Sequence, residues 1–233
     1  MKFRETLQTA KEESFDIAHP EVSIKSVSSE ITLIESHDGK CHVKILADSE
    51  KAAKLAELVE IVAKGETLTV RVDKKSRSSW GISGGGLHGF SIEGGLHGLS
   101  IELALPQVSN VQIKTVSGDV EINQALTNVE IGAVSSDVAI NQNPSESCTV
   151  KTVSGDIAAH IFSGCDYKLK SISGNIKVHV APDLAVEVDG NSISGELNSE
   201  ISLNESSSES AGTGKVVGIA ISTISGDFNL VRI

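Results

Sequence analysis

"KTVSGDVEI", residues 114–122, has close relatives along the whole chain. "KSVSSEITL" (25–33), "GAVSSDVAI" (132–140), "KTVSGDIAA" (151–159), "KSISGNIKV" (170–178) and "STISGDFNL" (222–230) are variants of it. Counted from the first apolar residue of each copy, apolar residues fall at offsets 0, 2, 5, 9 and 11, as in Val111, Ile113, Val116, Val120 and Ile122. The other copies start at Val22, Val129, Cys148, Tyr167 and Ile219. All 30 of these positions are apolar in a chain that is 39% apolar, so the spacing is a structural period and not chance. A seventh copy, "NSISGELNS" (191–199), keeps Val188, Ile193 and Leu197 but has Gly190 and Ser199 at two of the apolar positions.

Offsets of two on either side of the phrase describe two short strands whose side chains alternate in and out. Ser-Gly-Asp breaks the alternation and turns the corner between them. Successive central copies start 18, 19 and 19 residues apart, too short for a βαβ unit. Antiparallel hairpins would need tight two-residue turns, whereas the connections "NQALTN" and "NQNPSES" are longer. The fold class expected is all-β: a single-chain parallel β-solenoid (β-helix) with ~18–19-residue coils stacked in turn, and one short helix near the N-terminus.

The rest of the chain frames this stack. "DSEKAAKLAEL" (48–58) predicts the helix, with Asp48 or Ser49 as N-cap and Glu50–Lys54 as an i,i+4 pair. "VEIVAKGETLTVRV" (59–72) predicts a hairpin about Lys64-Gly65. The expected division is an N-terminal β-rich part (1–78), a Gly-rich connector (79–98) and the solenoid repeats (99–233), with a disordered insertion near 204–215.

Composition narrows the function. A net charge of −11 and an aromatic fraction of 3% argue against nucleic acid, which needs cationic phosphate contacts and stacking platforms. No apolar run is long enough to insert in a membrane, and no secretory h-region is seen at the start. Cys41, Cys148 and Cys165 are an odd set without a C-x-x-C pair, so a cytoplasmic location is expected.

Read as backbone, Ser-Gly-Asp is a corner. Gly118, Gly155, Gly174, Gly195 and Gly226 permit positive φ or close approach between coils, while Ser and Asp hydrogen-bond nearby backbone. Ser29 and Ser136 replace the glycine in two copies, so that corner either tolerates strain or is not left-handed. Read as chemistry, Asp119, Asp137 and Asp156 are weak candidates for a cation ladder or for paired glycosidase carboxylates. The interchange with Asn175 and Glu196 suits a solvated turn better. His88 and His97, in the tandem nonapeptides "GGLHGFSIE" and "GGLHGLSIE" (85–102), are weak metal candidates lacking a firm third ligand. Matches to G-x-G-x-x-G and G-x-S-x-G in the same glycine run (81–89) are followed by a strand-like "LSIELALP" and not a helix.

The order of elements also carries a resemblance: "VSIKSVSSEITLIESHDG", then helix and hairpin closing on "GETLTVRV", then "LSIELALP" leading into "TVSGDVEI" coils. It resembles the bacterial putative-adhesin family of β-solenoids, a domain of unknown function, from about residue 15 to the C-terminus. That resemblance implies a bacterial β-solenoid linked to cell-envelope biology and supplies no catalytic residues. The expectation is a non-enzymatic scaffold or adhesin-like protein without cofactor, meeting a protein partner or itself through the solenoid ends or the ladder face. The alternatives are a carbohydrate-binding or carbohydrate-active β-helix and a metal-dependent binding module.

Overall fold

The computed structural model describes residues 7–72, 98–200 and 216–233. Each copy of the phrase folds as two strands joined by its corner. Strand β1 (Gln8–Phe15) comes first, and the first copy supplies β2 (Glu21–Ser26) and β3 (Glu30–Glu35). Then follow β4 (Cys41–Ala47), helix α1 (Glu50–Ala56), β5 (Glu60–Lys64), β6 (Thr67–Arg71) and β7 (Leu99–Leu105). The next copies give β8 (Asn110–Ser117) with β9 (Val120–Ile122), and β10 (Asn128–Ser135) with β11 (Val138–Ile140). They continue as β12 (Ser147–Thr152) with β13 (Ile157–Ile161), and β14 (Asp166–Ser171) with β15 (Ile176–Val180). The degenerate copy gives β16 (Val186–Ser192) and β17 (Leu197–Ser199), and the last gives β18 (Val217–Thr223) and β19 (Phe228–Arg232).

First strands form a front sheet ordered β16-β18-β14-β12-β10-β8-β2-β6-β5, and second strands a back sheet ordered β17-β19-β15-β13-β11-β9-β3-β7-β4-β1. Pairing between copies is parallel and keeps the offsets aligned. Val111 pairs with Val22 and Val129, Cys148 with Val129 and Tyr167, and Tyr167 with Ile219. The back sheet repeats this through Ile31, Val120, Val138, Ile157, Ile176 and Phe228. In these six copies offsets 0, 2, 9 and 11 are all buried between the sheets. The protein is all-β with one short helix and two parallel-rich sheets in a solenoid-like stack.

The coils do not all follow chain order. The last coil, β18–β19, lies between β14–β15 and β16–β17. Burial gives the reason. Ile219, Ile221, Phe228 and Leu230 are a full apolar set and are covered on both sides, while the copy with Gly190 and Ser199 takes the end of the stack. Such a polar terminal repeat is how a solenoid-like stack is capped.

At the other end, β6 and β7 lie beside β2 and β3, with Leu68 against Val22 and Ile101 against Ile31. They add one more strand to each sheet, and 31 positions separate Val70 from Ile101, where 7 separate Ile24 from Ile31. The Gly-rich run within residues 73–97 and the insertion near 204–215 lie outside the described residues. Antiparallel β4, β1 and β5 close this end. Helix α1 is capped by Ser49, whose hydroxyl accepts the Ala52 N–H at 3.2 Å, and it buries Ala52 and Ala56. The expected hairpin forms from β5 and β6, with Gly65 at φ +60 in its turn.

Candidate functional site

The corner residues form a continuous clip. The backbone N–H of Asp137 donates to Asp119 Oδ1 (3.1 Å), that of Asp156 to Asp137 Oδ1 (2.8 Å) and that of Asn175 to Asp156 Oδ1 (2.7 Å). Asp227 continues it on Asn175 and Glu196 on Asp227, both at 3.0 Å. The carbonyls of these residues accept from the next strand of the adjacent coil, as Val138 N–H does to Asp156 O at 2.9 Å. Each side chain is used as an acceptor, which explains why an amide serves as well as a carboxylate. Asp119, Asp137 and Asp156 are therefore brought together in three successive coils, each with one oxygen engaged by backbone. Among the described residues no three His, Cys, Asp or Glu side chains converge as a metal-binding group. His88 and His97 lie outside the described residues.

The corner glycines are there for close approach. A Cβ on Gly155, Gly174, Gly226 or Gly195 would collide with the backbone carbonyl of the corner on the neighbouring coil. Only Gly118 among them has a positive φ, +109, and no described non-glycine residue does. Ser29 and Ser136 therefore do not adopt the left-handed conformation.

Three columns escaped the sequence reading. Offset 4 is Ser26, Thr115, Ala133, Thr152, Ser171 and Thr223, all small and all buried; Ser26 Oγ accepts the Ser29 N–H at 3.1 Å. Offset 5, read only as apolar, points outward: Val116, Val134, Val153, Ile172 and Ile224 are 38% to 43% exposed. Offset 3 is a column of cations on the front sheet. Arg71 pairs with Lys25, Lys25 with Lys114, Lys114 with Gly132, Gly132 with Lys151 and Lys151 with Lys170. All five cations are exposed, and none forms an ion pair among the described residues. Beside them at offset 1 stand Thr69, Ser23, Gln112, Glu130, Thr149 and Lys168.

This outer face is a trough of about 980 Å³ that reaches from Thr67 on β6 to Asp189 on β16, with Lys151, Lys168 and Lys170 in its wall. The residues lining it carry three cations, Lys151, Lys168 and Lys170, and three carboxylates, Glu21, Glu130 and Asp189; the cationic excess lies in the column beside it. On the outward positions of β6, β2, β8, β10, β12 and β14, six cations meet three carboxylates: Glu21, Glu130 and Asp166. Glu130 is engaged by the Gln112 amide at 2.9 Å.

Two smaller clusters carry recognisable chemistry. On the back sheet, His160 and His179 stack with ring centroids 4.7 Å apart; burial, then the His160 and Lys177 charges, lower the pKa of His179. Near β1, Ser14 Oγ meets His42 Nδ1 and His42 Nε2 meets Asp38 Oδ1, each at 2.8 Å. The His42 hydrogen bond and the Lys40 N–H hold the Asp38 carboxyl well below the usual range. Asp38 also accepts Ser36 Oγ–H and Lys40 N–H, so the cluster ties down the β3–β4 turn. Cys41, Cys148 and Cys165 are buried; burial pushes the Cys41 thiol up to about 11.

No curated protein matches the chain. The sequence pattern of the Toastrack family (DUF4097) matches residues 19–159 and, in a second overlapping match, residues 99–231. The chain belongs to the Toastrack family. Two matches to one pattern reflect a stack whose coils present the same register. Among solved structures, this Toastrack protein is similar to a putative cell adhesion protein from Clostridium sporogenes, with TM-score 0.53 and 11% identity over 96% of this chain and 99% of that one. A putative adhesin from Bacteroides fragilis gives TM-score 0.49 and 15% identity over 96% of each chain. At such identities the first likeness supports the Toastrack fold alone.

Proposed function

We propose that this Toastrack protein is a non-enzymatic, adhesin-like binding scaffold whose working surface is the outer face of the front sheet. The scaffold's repeating unit is one 18–19-residue coil. The observation that carries the reading is the column Arg71, Lys25, Lys114, Lys151 and Lys170, exposed and without ion pairs among the described residues, beside the trough. A cation column repeated from strand to strand offers one chemistry over a long surface, which suits binding. The ends are poorer candidates. One terminates in the coil with Gly190 and Ser199, and antiparallel strands close the other. A cytoplasmic location is part of this proposal, supported by the buried thiols of Cys41 and Cys148, which form no disulfide.

A photo-crosslinking residue at Gln112, in the trough, is compared with one at Asn229 on the back sheet, in the native host. Protein or glycan adducts are expected at Gln112 in clear excess. Equal yields at the two positions would overturn the assignment of the face.

A further inference from the structure

We propose that the outer face of the front sheet binds an extended anionic glycan, with its acidic groups on the Arg71–Lys25–Lys114–Lys151–Lys170 column, of which Lys151 and Lys170 also line the trough, and its hydroxyls on the polar side chains beside it. This rests on the scaffold reading above and names the partner class for the same face.

The geometry is that of a linear site. The cations occupy five of six consecutive strands, so the column runs straight for roughly 24 Å at about 4.8 Å per strand. An extended (1→4)-linked pyranose chain turns successive rings over, so its acidic groups on one face recur at every second ring, close to two strand spacings, and meet alternate members of the column. Next to it, Thr69, Ser23 and Gln112 place hydroxyl and amide groups on three adjacent strands; Glu130, held by the Gln112 amide, interrupts them on β10, and Thr149 follows on β12. A line of cations beside hydroxyl and amide groups matches a polyhydroxylated polyanion.

Other anionic partners fit less well. An extended peptide places same-face side chains about 6.6–6.8 Å apart, out of step with the column. Nucleic acid is denser in charge and is repelled by a net −11; the trough also has no aromatic side chain in its wall on which a base could stack. A flat anionic bilayer cannot follow a trough. Laid across the corner, it would also meet the carboxylates of Asp119, Asp137, Asp156 and Asp227 beyond the Val and Ile column.

The stack also offers a gain-of-function test. Gly132 fills the one gap in the cation column, and a Cβ there would meet nothing within 4 Å. Gly132→Lys therefore completes the column without disturbing the fold.

The test uses the full chain and affinity electrophoresis with five probes: polygalacturonate, dextran sulfate, neutral dextran, duplex DNA and phosphatidylglycerol vesicles. The variants are the triple substitution Lys114→Gln, Lys151→Gln, Lys170→Gln, the single Gly132→Lys, and Lys177→Gln on the back sheet as control. Melting curves establish that each is folded. Polygalacturonate or dextran sulfate is expected to bind and neutral dextran not. The triple variant should weaken binding roughly tenfold, at a few tenths to 1 kcal/mol per exposed pair. Gly132→Lys should tighten binding about two- to fivefold on the same scale, and Lys177→Gln should leave it unchanged.

Absence of binding to both acidic glycans overturns the proposal, as does binding indifferent to the triple variant or to Gly132→Lys. Equal binding of DNA or vesicles with the same residue dependence overturns the glycan assignment in favour of a general anion site. If the glycans fail while Gln112 still crosslinks in clear excess over Asn229, only the glycan class falls. If Gln112 shows no excess either, the scaffold reading falls with it.

Discussion

Asp156 Oδ1 accepts the backbone N–H of Asn175 at 2.7 Å, the shortest rung of the corner clip. The rung above it uses the amide oxygen of Asn175 for the Asp227 N–H at 3.0 Å. An acceptor is what the position requires, and charge is incidental to it. Asp156→Asn should therefore leave the urea midpoint nearly unchanged, while Asp156→Ala should cost about 1 kcal/mol, the net value of one such hydrogen bond. A calcium-dependent rise in the wild-type melting temperature that Asp156→Asn abolishes would instead make the column a cation site.

Gly174 tests the packing of the same corner. Its missing Cβ lies where the Gly155 carbonyl oxygen of the adjacent coil sits, and backbone cannot step aside as a side chain can. Gly174→Ala should destabilise by roughly 1–3 kcal/mol, the usual range for overpacking. Gly132→Ala, with open space around it, should be neutral or slightly stabilising. Equilibrium denaturation of the two variants side by side checks the contrast.

The interior was legible because burial on one face of a strand demands alternation, and Val22, Ile24, Ile31 and Leu33 repeat it as faithfully as Val111, Ile113, Val120 and Ile122. Offset 5 was not legible as an outward position. Val116 and Ile172 look like core by composition, but the corner breaks the alternation that would say which way they point. The placement of β18–β19 inside β16–β17 was hidden for a different reason: every coil presents the same edges, so periodicity alone does not order them. The cation column was hidden because Lys25, Lys114, Lys151 and Lys170 each look like an ordinary solvated residue. Only the parallel register shows that they form a line.

His179 makes stability depend on pH. The folded-state pKa of His179 lies below its ordinary value of 6.5, through burial first and then the charges of His160 and Lys177. As pH falls the unfolded chain takes up its proton before the folded one does. The stability is therefore present above about pH 6.5 and is lost as pH drops below it. Urea midpoints measured between pH 7.5 and 5 should fall on the acid side. His179→Gln should flatten that slope; a slope unchanged by the substitution would place the titrating group elsewhere.

Tyr167 is 1% exposed, and its hydroxyl has no hydrogen-bond partner among the described residues. It occupies the interior column between Cys148 and Ile219, where the neighbouring copies carry smaller side chains. A buried unpaired hydroxyl is a net cost, and removing it while keeping the ring leaves packing intact. Tyr167→Phe should be neutral to stabilising by about 1 kcal/mol. A loss of more than that would show that the hydroxyl is satisfied in solution.

The order of the coils at the C-terminal end makes a prediction about cooperativity. Strands β16 and β17 pair only with β18 and β19 among the described residues, and β14 and β15 have the same two strands as their neighbours on that side. Residues 186–199 therefore have no place in either sheet until the last seventeen residues, 217–233, are in position. Deleting 217–233 should free the degenerate coil as well, so amide exchange becomes fast over both segments while 110–161 stays protected. Deleting 186–199 alone should instead leave β18–β19 paired to β14–β15, because Tyr167–Ile219 and Ile176–Phe228 do not depend on the terminal coil. If the first deletion left 186–199 protected, that segment would have to dock directly on β14–β15, and the insertion of the last coil would not be obligatory.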